Sequence, residues 1–452
     1  MTTLTTALTI TLFVTALAIA ADTNSSPTTQ QAWHPAAPRD EIRPIFAIEP
    51  TAGRSATESL TIRTDARPGQ IGWYTRTFPI TGGQWYRFQA WRKFQNVPCP
   101  RRSILALIRW QDDKGQMINR DEPANVPYLS GQIPEAEPEL PPDTETDNAG
   151  WTQLTGVYRA PTAARQAVIE LQLCWAPDAQ VQWSDITFTR TDPKPARKVR
   201  LAAVHFLPTG GKSNDDNCRL FASLIAQAAA QKADLVVLGE TLTYCNRGLN
   251  YDQCAEPIPG PSTQYFHDLA KKHNLYIVPG LLERDKNAVY NTAALIGPEG
   301  LVGKYRKVCL TRDEVANGVT PGDSYPVFQT RFGKVGMMIC YDGFFPEVAR
   351  QLGNNGAEVI AWPVWGCSPL MAAARAIDNH VYLVSSTYCI PADNWMLTAI
   401  WSQDGIPLAQ AKDFGTITIA EVDLNKPLLW SSMGDFKAEQ SRRRPPWPAD
   451  KP

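Results

Sequence analysis

The stretch Ala233–Glu240, ADLVVLGE, decides the fold of the larger part of the chain. Its apolar run is unbroken, and strands that are covered on both faces of a parallel sheet lack the alternation of half-exposed strands. The segment before it, Cys218–Lys232, spaces its apolar residues at the intervals of one helical face. Strand and helix alternate from Leu201 onward, which predicts an α/β layered domain.

The same alternation continues along the chain to about residue 424. It predicts helices at Thr263–His273, Phe345–Leu352 and Met371–His380. It predicts a hairpin at Ala293–Tyr305 and strands at Leu201–Phe206, Tyr276–Leu281, Val335–Ile339, Val359–Pro363, Tyr382–Ser386, Leu397–Ser402 and Ile417–Val422. We expect this domain to span 199–436 and a Pro-rich tail, 437–452, to be loosely held or used in subunit contacts.

A different pattern fills 41–192, where turn formers separate short runs rich in β-branched and aromatic residues. It predicts an all-β domain of two packed sheets, with a long excursion loop at Asp121–Gly150. Strands are expected at Ser59–Arg63, Gly72–Pro79, Trp85–Phe94, Ile104–Trp110, Gln153–Arg159, Ala167–Trp175 and Val181–Thr189.

Three stretches of this region, Gly83–Phe88, Gly150–Gly156 and Val181–Ile186, resemble those of carbohydrate-binding-module-like jelly rolls. The resemblance implies a jelly-roll-like β-sandwich whose aromatic side chains stack on a glycan. The alternative is that most of its Trp and Tyr side chains fill the core between the sheets.

The first residues are typical of an export signal. Met1–Ala21 has no charge, an apolar run and small residues at cleavage spacing, which predicts a signal peptide, a linker at 22–40 and a periplasmic or extracellular location. The nine cysteines fit an oxidising compartment. Cys245 and Cys254 enclose a polar loop and are the pair expected to be bridged, the alternative being two unbonded thiols.

Three reactive side chains lie where strands are predicted to end. Glu240 ends ADLVVLGE, Lys307 follows the predicted hairpin, and Cys340 ends the run VGMMIC before a predicted helix. A buried carboxylate suits proton transfer, a lysine can stabilise developing negative charge, and a helix N-terminus stabilises a thiolate. Taken alone, each has a plainer alternative: a capping glutamate, a surface cation and a small buried side chain.

Taken together, Glu240, Lys307 and Cys340 resemble the Glu-Lys-Cys triad of the carbon–nitrogen hydrolase (nitrilase) superfamily. Their surroundings match as well, with LGE at 238–240, KYRK at 304–307 and GMMICYDGFFPE at 336–347. The resemblance covers about 199–424 and implies an αββα sandwich that assembles into a homodimer or larger homo-oligomer.

The resemblance also implies a mechanism for hydrolysis of a non-peptide C–N bond. Glu240 takes the proton of the Cys340 thiol, the sulfur attacks the carbonyl carbon, and Lys307 with the backbone N–H of Tyr341 stabilises the oxyanion. Water then hydrolyses the thioester with the help of Glu240. Glu314 corresponds to the family's second glutamate, and no metal or organic cofactor is implied.

Two further features concern the substrate. The sequence CYD at 340–342 resembles amidase and carbamoyl-hydrolase members, so we expect an amide or N-carbamoyl substrate. Trp362 and Trp365 follow the next strand and are expected to line the pocket, the alternative being packing against the sandwich domain.

Cys309 is a departure from the family pattern, because many members have His at this position.

Composition limits the other functions. The net charge of −1 gives no global attraction to nucleic acid, and the five His are scattered rather than set at metal-ligand spacing. The expected partners are a small amide or carbamoyl substrate, a glycan on the N-terminal domain and further copies of the chain. Two alternatives stay open: an exported binding protein without turnover, which the intact triad disfavours, and an acyltransferase of the same superfamily.

Overall fold

A computed structural model describes residues 32–126, 129–390 and 395–446 of the 452-residue chain. The predicted signal peptide, 1–21, and the first part of the predicted linker lie outside the described residues. Within the described part, no helix is both long and apolar enough to span a membrane.

The N-terminal part is built from two antiparallel sheets. One has the strand order β1-β4-β9-β6 and the other β2-β3-β10-β5-β8-β7. The elements are β1 His34–Ala36, β2 Ile45–Glu49, β3 Ser59–Arg63, β4 Ile71–Pro79, β5 Trp85–Gln95, α1 Pro100–Ser103, β6 Ile104–Gln111, β7 Asp143–Thr146, β8 Thr152–Arg159, β9 Gln166–Cys174 and β10 Gln180–Thr191. Each predicted strand overlaps one of these strands. β1 lies inside the predicted linker, because His34–Ala36 pairs with β4.

Both sheets contribute to one hydrophobic cluster, and several aromatic residues of this region belong to it. Trp110, Trp183 and Phe88 are fully buried in it. Trp91 is also buried, beneath the guanidinium of Arg54 at 3.8 Å. Trp175 is different, because its side chain is 41% exposed. Many of the aromatic residues therefore fill the core, and glycan binding stays a prediction.

The C-terminal part contains two further sheets. Their strand orders are β14-β15-β13-β12-β11-β23, with β16 paired to β15, and β17-β18-β19-β20-β21-β22. The strands are β11 Lys198–His205, β12 Leu235–Val237, β13 Tyr276–Val278, β14 Gly280–Asp285, β15 Ala288–Gly297, β16 Gly300–Arg306, β17 Val327–Gln329, β18 Lys334–Met337, β19 Val359–Pro363, β20 Tyr382–Ser386, β21 Ala399–Trp401, β22 Pro407–Gln410 and β23 Thr416–Asp423. The helices are α2 Asn214–Leu220, α3 Ala222–Ala230, α4 Tyr251–Cys254, α5 Pro261–His273, α6 Arg312–Ala316, α7 Pro346–Asn354 and α8 Pro369–Asn379.

These elements form four layers, with helices outside two stacked sheets. Alternate residues of β11, such as Leu201, face the second sheet in one cluster, whereas their neighbours, such as Ala202, pack with α3 and α5 in another. α7 and α8 cover the outer side of the second sheet. Because both faces of the central strands are covered, their sequences are apolar without alternation. The C-terminal part therefore has the expected αββα arrangement.

The predicted helix Cys218–Lys232 is divided into two. α2 begins earlier than expected because the side chain of Ser213 accepts a hydrogen bond from the backbone N–H of Asp216, whose own side chain bonds back to the cap. α2 ends at Leu220, and α3 begins at Ala222. The spacing of the apolar residues gave no sign of this boundary, so it predicted one continuous helix.

The predicted disulfide between Cys245 and Cys254 was wrong, because both are buried free thiols. Cys254 packs with Leu282 and Val289 in a small cluster. The carbonyl oxygen of Cys245 is instead held by the Asn217 side chain at 3.1 Å. The two residues thus belong to different surroundings.

The end of the chain joins the two parts. A short hairpin of β24 Leu429–Trp430 and β25 Gly434–Asp435 precedes helix α9 Phe436–Arg443. The buried Arg442 side chain donates to the carbonyl oxygen of Pro141 at 2.9 Å, and the N–H of Asn125 donates to Leu429 at 2.8 Å. The predicted loose tail therefore begins with a packed helix, because it meets the excursion loop.

Candidate active site

Glu240 lies just beyond the carboxyl end of β12, and hydrogen bonds hold both its backbone carbonyl and its side-chain carboxylate. Its side chain is only 5% exposed. The hydroxyl of Tyr388 donates to its carbonyl oxygen at 2.8 Å, and the backbone N–H of Trp365 donates to its Oε2 at 2.9 Å. The carboxylate is therefore fixed against the loop that follows β19.

Lys307 is the residue directly after β16. Its N–H donates to the carbonyl of Asn291, and its own carbonyl accepts from Gly322, both at 2.8 Å. Its Nζ lies 2.9 Å from Glu240 Oε1 and 2.9 Å from Glu314 Oε1. Burial opposes the charge of Lys307, but the nearby Glu240, Cys340 and Glu314 outweigh it and raise its pKa. The ammonium is therefore retained at neutral pH.

Glu314 is positioned by the start of α6. The side chain of Thr311 accepts from the N–H of Glu314, and Glu314 Oε2 accepts from the N–H of Thr311 at 2.8 Å, a capping box. Burial raises the pKa of Glu314, but Lys307, Asn291 and Thr311 together lower it below its usual value. The capping box at the start of α6 therefore places the buried carboxylate of Glu314 beside Lys307.

Cys340 lies between β18 and a 3₁₀ turn, Cys340–Phe344. Its φ of +39° is in the left-handed region, which non-glycine residues adopt rarely and at a cost in strain. The thiol approaches the carbonyl oxygen of Gly366 at 3.6 Å. The backbone therefore turns sharply at Cys340.

The expected stabilisation of the Cys340 thiolate was wrong for the resting site. Burial and the charge of Glu240 raise the pKa of Cys340 well above its usual value, against the opposite effect of Lys307 and the backbone at Trp365 and Gly366. The 3₁₀ turn begins at Cys340 itself, so α7 begins only at Pro346. Desolvation exceeds the helix effect, and the resting sulfur carries its proton.

Asp342 holds the Cys340 turn in place through hydrogen bonds to its carboxylate. Its carboxylate accepts from the N–H of Ile339 at 2.9 Å, the N–H of Cys309 at 2.8 Å and the hydroxyl of Tyr305 at 2.8 Å. Burial raises the pKa of Asp342 to about 6, although these donors and Lys307 oppose it. The residue ties the Cys340 turn to the segment that carries Lys307.

A cavity of about 500 Å³ opens at Cys340. Its described lining residues besides Cys340 are Trp365, Gly366, Cys389 and Trp395. Trp365 is thus at the cavity, as expected.

Trp362 does not line this cavity. Its ring is fully buried over Gly343, and its Nε1–H donates to the carbonyl of Cys340 at 3.3 Å. A Cβ on Gly343 would come within 2.0 Å of the Trp362 ring, so glycine is required there. The Tyr341 ring packs against Phe344 and Phe345.

Three contributing residues were missed from the sequence. Asn291 Nδ2 lies 2.7 Å from Oε1 of both Glu240 and Glu314. The sequence signal for Asn291 was an amide side chain within β15, a strand made mostly of apolar residues. Asp342 stood within the quoted motif without a role, and Tyr388 carried no local signal. In the described ranges, no group of three or more His, Cys, Asp or Glu side chains could hold a metal ion.

Known proteins resemble the C-terminal part of the chain. Residues 201–428 match the family model described as carbon-nitrogen hydrolase. The chain is 40% identical over 183 residues to a nitrilase of Pyrococcus abyssi, covering 38% of this chain and 68% of that protein. It is 34% identical over 254 residues to omega-amidase NIT2-A of Xenopus laevis, covering 50% of this chain and 89% of that protein.

Among solved structures, Saccharomyces cerevisiae Nit3, described as a member of branch 10 of the nitrilase superfamily, matches at 24% identity. It covers 57% of this chain and 98% of that chain, with a TM-score of 0.46. Because the family model matches half of the chain, and because the relatives above are matched over most of their length, this chain belongs to the carbon-nitrogen hydrolase family.

Proposed function

We propose that the chain hydrolyses the C–N bond of a small amide or N-carbamoyl compound through a thioester on Cys340. One observation carries the proposal: a buried lysine joins two carboxylates beside a thiol at the floor of an open cavity. The relatives named omega-amidase and nitrilase support C–N chemistry of this kind.

The first step follows from the state of the sulfur. Because burial and Glu240 raise the pKa of Cys340, the resting thiol is neutral and a poor nucleophile. Attack therefore needs a base at the moment of bond formation. Glu240, whose charge acts directly on this thiol, is the base.

Cys340 and Glu240 also take part in the remaining steps. The sulfur forms a bond to the carbonyl carbon, and the carbonyl electron pair moves to oxygen, where the Lys307 ammonium stabilises it. When the oxyanion collapses, the C–N bond breaks and the proton on Glu240 passes to the leaving nitrogen. Water, deprotonated by Glu240, then attacks the thioester, which releases the acid and returns a proton to the sulfur.

Positioning is the role proposed for the other site residues. Glu314 and Asn291 hold the Lys307–Glu240 pair through hydrogen bonds, so that the ammonium keeps one orientation. The backbone N–H of Tyr341 is the second oxyanion donor. Trp362 supports the carbonyl of Cys340 rather than contacting substrate.

The roles outside the site are proposals as well. Export, binding of a glycan by the N-terminal sheets and assembly into a homo-oligomer remain the expectations stated from the sequence. Trp175, on the N-terminal part, is the exposed tryptophan that a glycan-binding assay should include.

The test is ammonia release from a panel of primary amides and N-carbamoyl compounds by the parent, Cys340→Ala and the matched control Cys99→Ala. Cys99 is a half-buried thiol of the N-terminal part, outside the site. We expect Cys340→Ala to abolish turnover and Cys99→Ala to retain it, with an acyl adduct on Cys340 detected by intact mass. Turnover by Cys340→Ala at the parent rate would show that the proposal is wrong.

A further inference from the structure

We propose that the acyl part of the substrate is uncharged and apolar, with an aromatic ring as its best fit, and that it binds against Trp365 and Trp395. The inference rests on the proposed function, because it concerns the same cavity. It follows from the walls of that cavity, their rigidity and the charges around it.

The walls are two solvent-facing indoles. Trp365 is 42% exposed and Trp395 is 45% exposed, and both line the cavity above Cys340. Covering such rings with an apolar group removes apolar surface from water on both partners. Aromatic rings gain further from edge-to-face or offset contacts. A volume of about 500 Å³ is ample for one ring and a short chain.

The first of these walls is fixed relative to the reacting groups. The backbone N–H of Trp365 donates to Glu240 Oε2 at 2.9 Å. Its ring meets the Tyr388 ring edge-on, with centroids 5.1 Å apart, and the Tyr388 hydroxyl donates to the carbonyl of Glu240. An acyl group stacked on Trp365 is therefore held in register with the base without ordering a new side chain.

The charges around the cavity disfavour an anionic acyl group. None of the described lining residues is cationic. The nearby ammonium of Lys307 is already shared by Glu240 and Glu314. A substrate carboxylate would lose water and meet Glu240 without a free counter-ion.

The buried Arg375 does not supply that counter-ion. Its Nε donates to the carbonyl of Gly343 at 3.1 Å, and its Nη1 lies 3.4 Å from Asp378. The guanidinium is thus engaged by the 3₁₀ turn and by α8. A carboxylate-bearing amide finds no charge partner among the described lining residues.

The experiment compares kcat/KM of the full chain for phenylpropanamide, butanamide and succinamate, which is a monoamide with a free carboxylate. We expect phenylpropanamide to exceed succinamate by at least about tenfold, the size of one apolar pocket contact. Trp395→Ala should lower kcat/KM for phenylpropanamide by about tenfold and change that for butanamide much less. Trp395→Leu serves the same purpose if the alanine variant does not fold.

A matched control and a charge variant sharpen the result. Ile45→Ala removes an exposed apolar side chain of β2, which has no role in the site, and should leave all three values unchanged. Trp395→Lys should move the preference toward succinamate. If the parent prefers succinamate, or if Trp395→Ala lowers all three amides equally, the inference is wrong although amide hydrolysis stands. If the parent releases ammonia from no amide or carbamoyl compound, the proposed function itself fails.

Discussion

Replacing Lys307 with methionine tests the centre of the site by its effect on stability as well as on activity. The Lys307 side chain is 1% exposed, and those of Glu240 and Glu314 are 5% and 4% exposed. Lys307→Met keeps the length of the side chain and removes the charge that both carboxylates share. Two buried carboxylates then face each other across Asn291 alone.

The stability lost in Lys307→Met depends on the hydrogen bonds that Glu240 and Glu314 keep in the variant. Removing one member of a buried ion pair costs about 3–5 kcal/mol. Glu240 keeps the N–H of Trp365, and Glu314 keeps the N–H of Thr311, so the lower end, about 3 kcal/mol, applies. For a domain of this size that is a fall in Tm of about 10 °C.

The sign of the pH dependence is also determined. In the parent the pKa of Glu314 is lowered, so its stabilisation is present above the unfolded pKa and is lost as the pH falls. In Lys307→Met, mutual repulsion raises the pKa of one carboxyl group, so stability is lost as the pH rises. The difference in Tm between parent and variant should therefore grow from pH 5 to pH 8.

The assay is calorimetric unfolding at both pH values, with ammonia release measured alongside. Lys304→Met is the matched control, because Glu283 keeps its contacts with Arg306 after that change and because the Lys304 side chain is 33% exposed. We expect it to shift Tm by no more than a few degrees. A Lys307→Met protein with the parent Tm at pH 8, or with a shift independent of pH, would refute the reasoning.

Three further outcomes are expected. Asn291→Leu removes hydrogen bonds to two carboxylates and should lower kcat roughly thirtyfold, equivalent to about 2 kcal/mol, with an unchanged circular dichroism spectrum; an unchanged kcat would contradict its positioning role. Because burial raises the pKa of Asp342 to about 6, its stabilisation is lost as the pH rises through that value. From pH 4 to pH 7 the parent should lose about 2–3 kcal/mol of unfolding free energy relative to Asp342→Asn, and parallel stability curves would count against this. The fragment 32–192, which includes β1, should fold alone and melt cooperatively; an insoluble or unstructured fragment would speak against a self-contained core.

The elements that the sequence predicted well are those with strong local periodicity. β12, β19 and β20 were found because strands buried on both faces must be apolar throughout. The positions of Glu240 and Cys340 followed, since each lies three residues beyond the end of a buried strand, β12 or β18. Lys307 needed the family motif, because nothing in the composition of β16 marks the next residue as buried.

What could not be predicted depends on contacts between distant segments. Asn291 meets Glu240 and Glu314 only because the fold brings β15 close to the residues after β12 and to the start of α6, and Tyr388 reaches Glu240 from beyond the end of β20. The protonated state of Cys340 depends on how completely the fold excludes water. The packing of α9 against the excursion loop has the same cause, because its partner lies some 300 residues earlier in the chain.

Cys309 shows why a departure from the family pattern can leave the site intact. Many family members have His at this position, and losing that ring raised the question of what orients the neighbouring groups. Here the connection is made by the backbone N–H of Cys309, which donates to Asp342 Oδ1 at 2.8 Å, a contact that any residue except proline can make. Asp342 also bonds to Ile339, next to Cys340, and to Tyr305, two residues before Lys307. The geometry of Cys340 and Lys307 therefore does not require the side chain at 309.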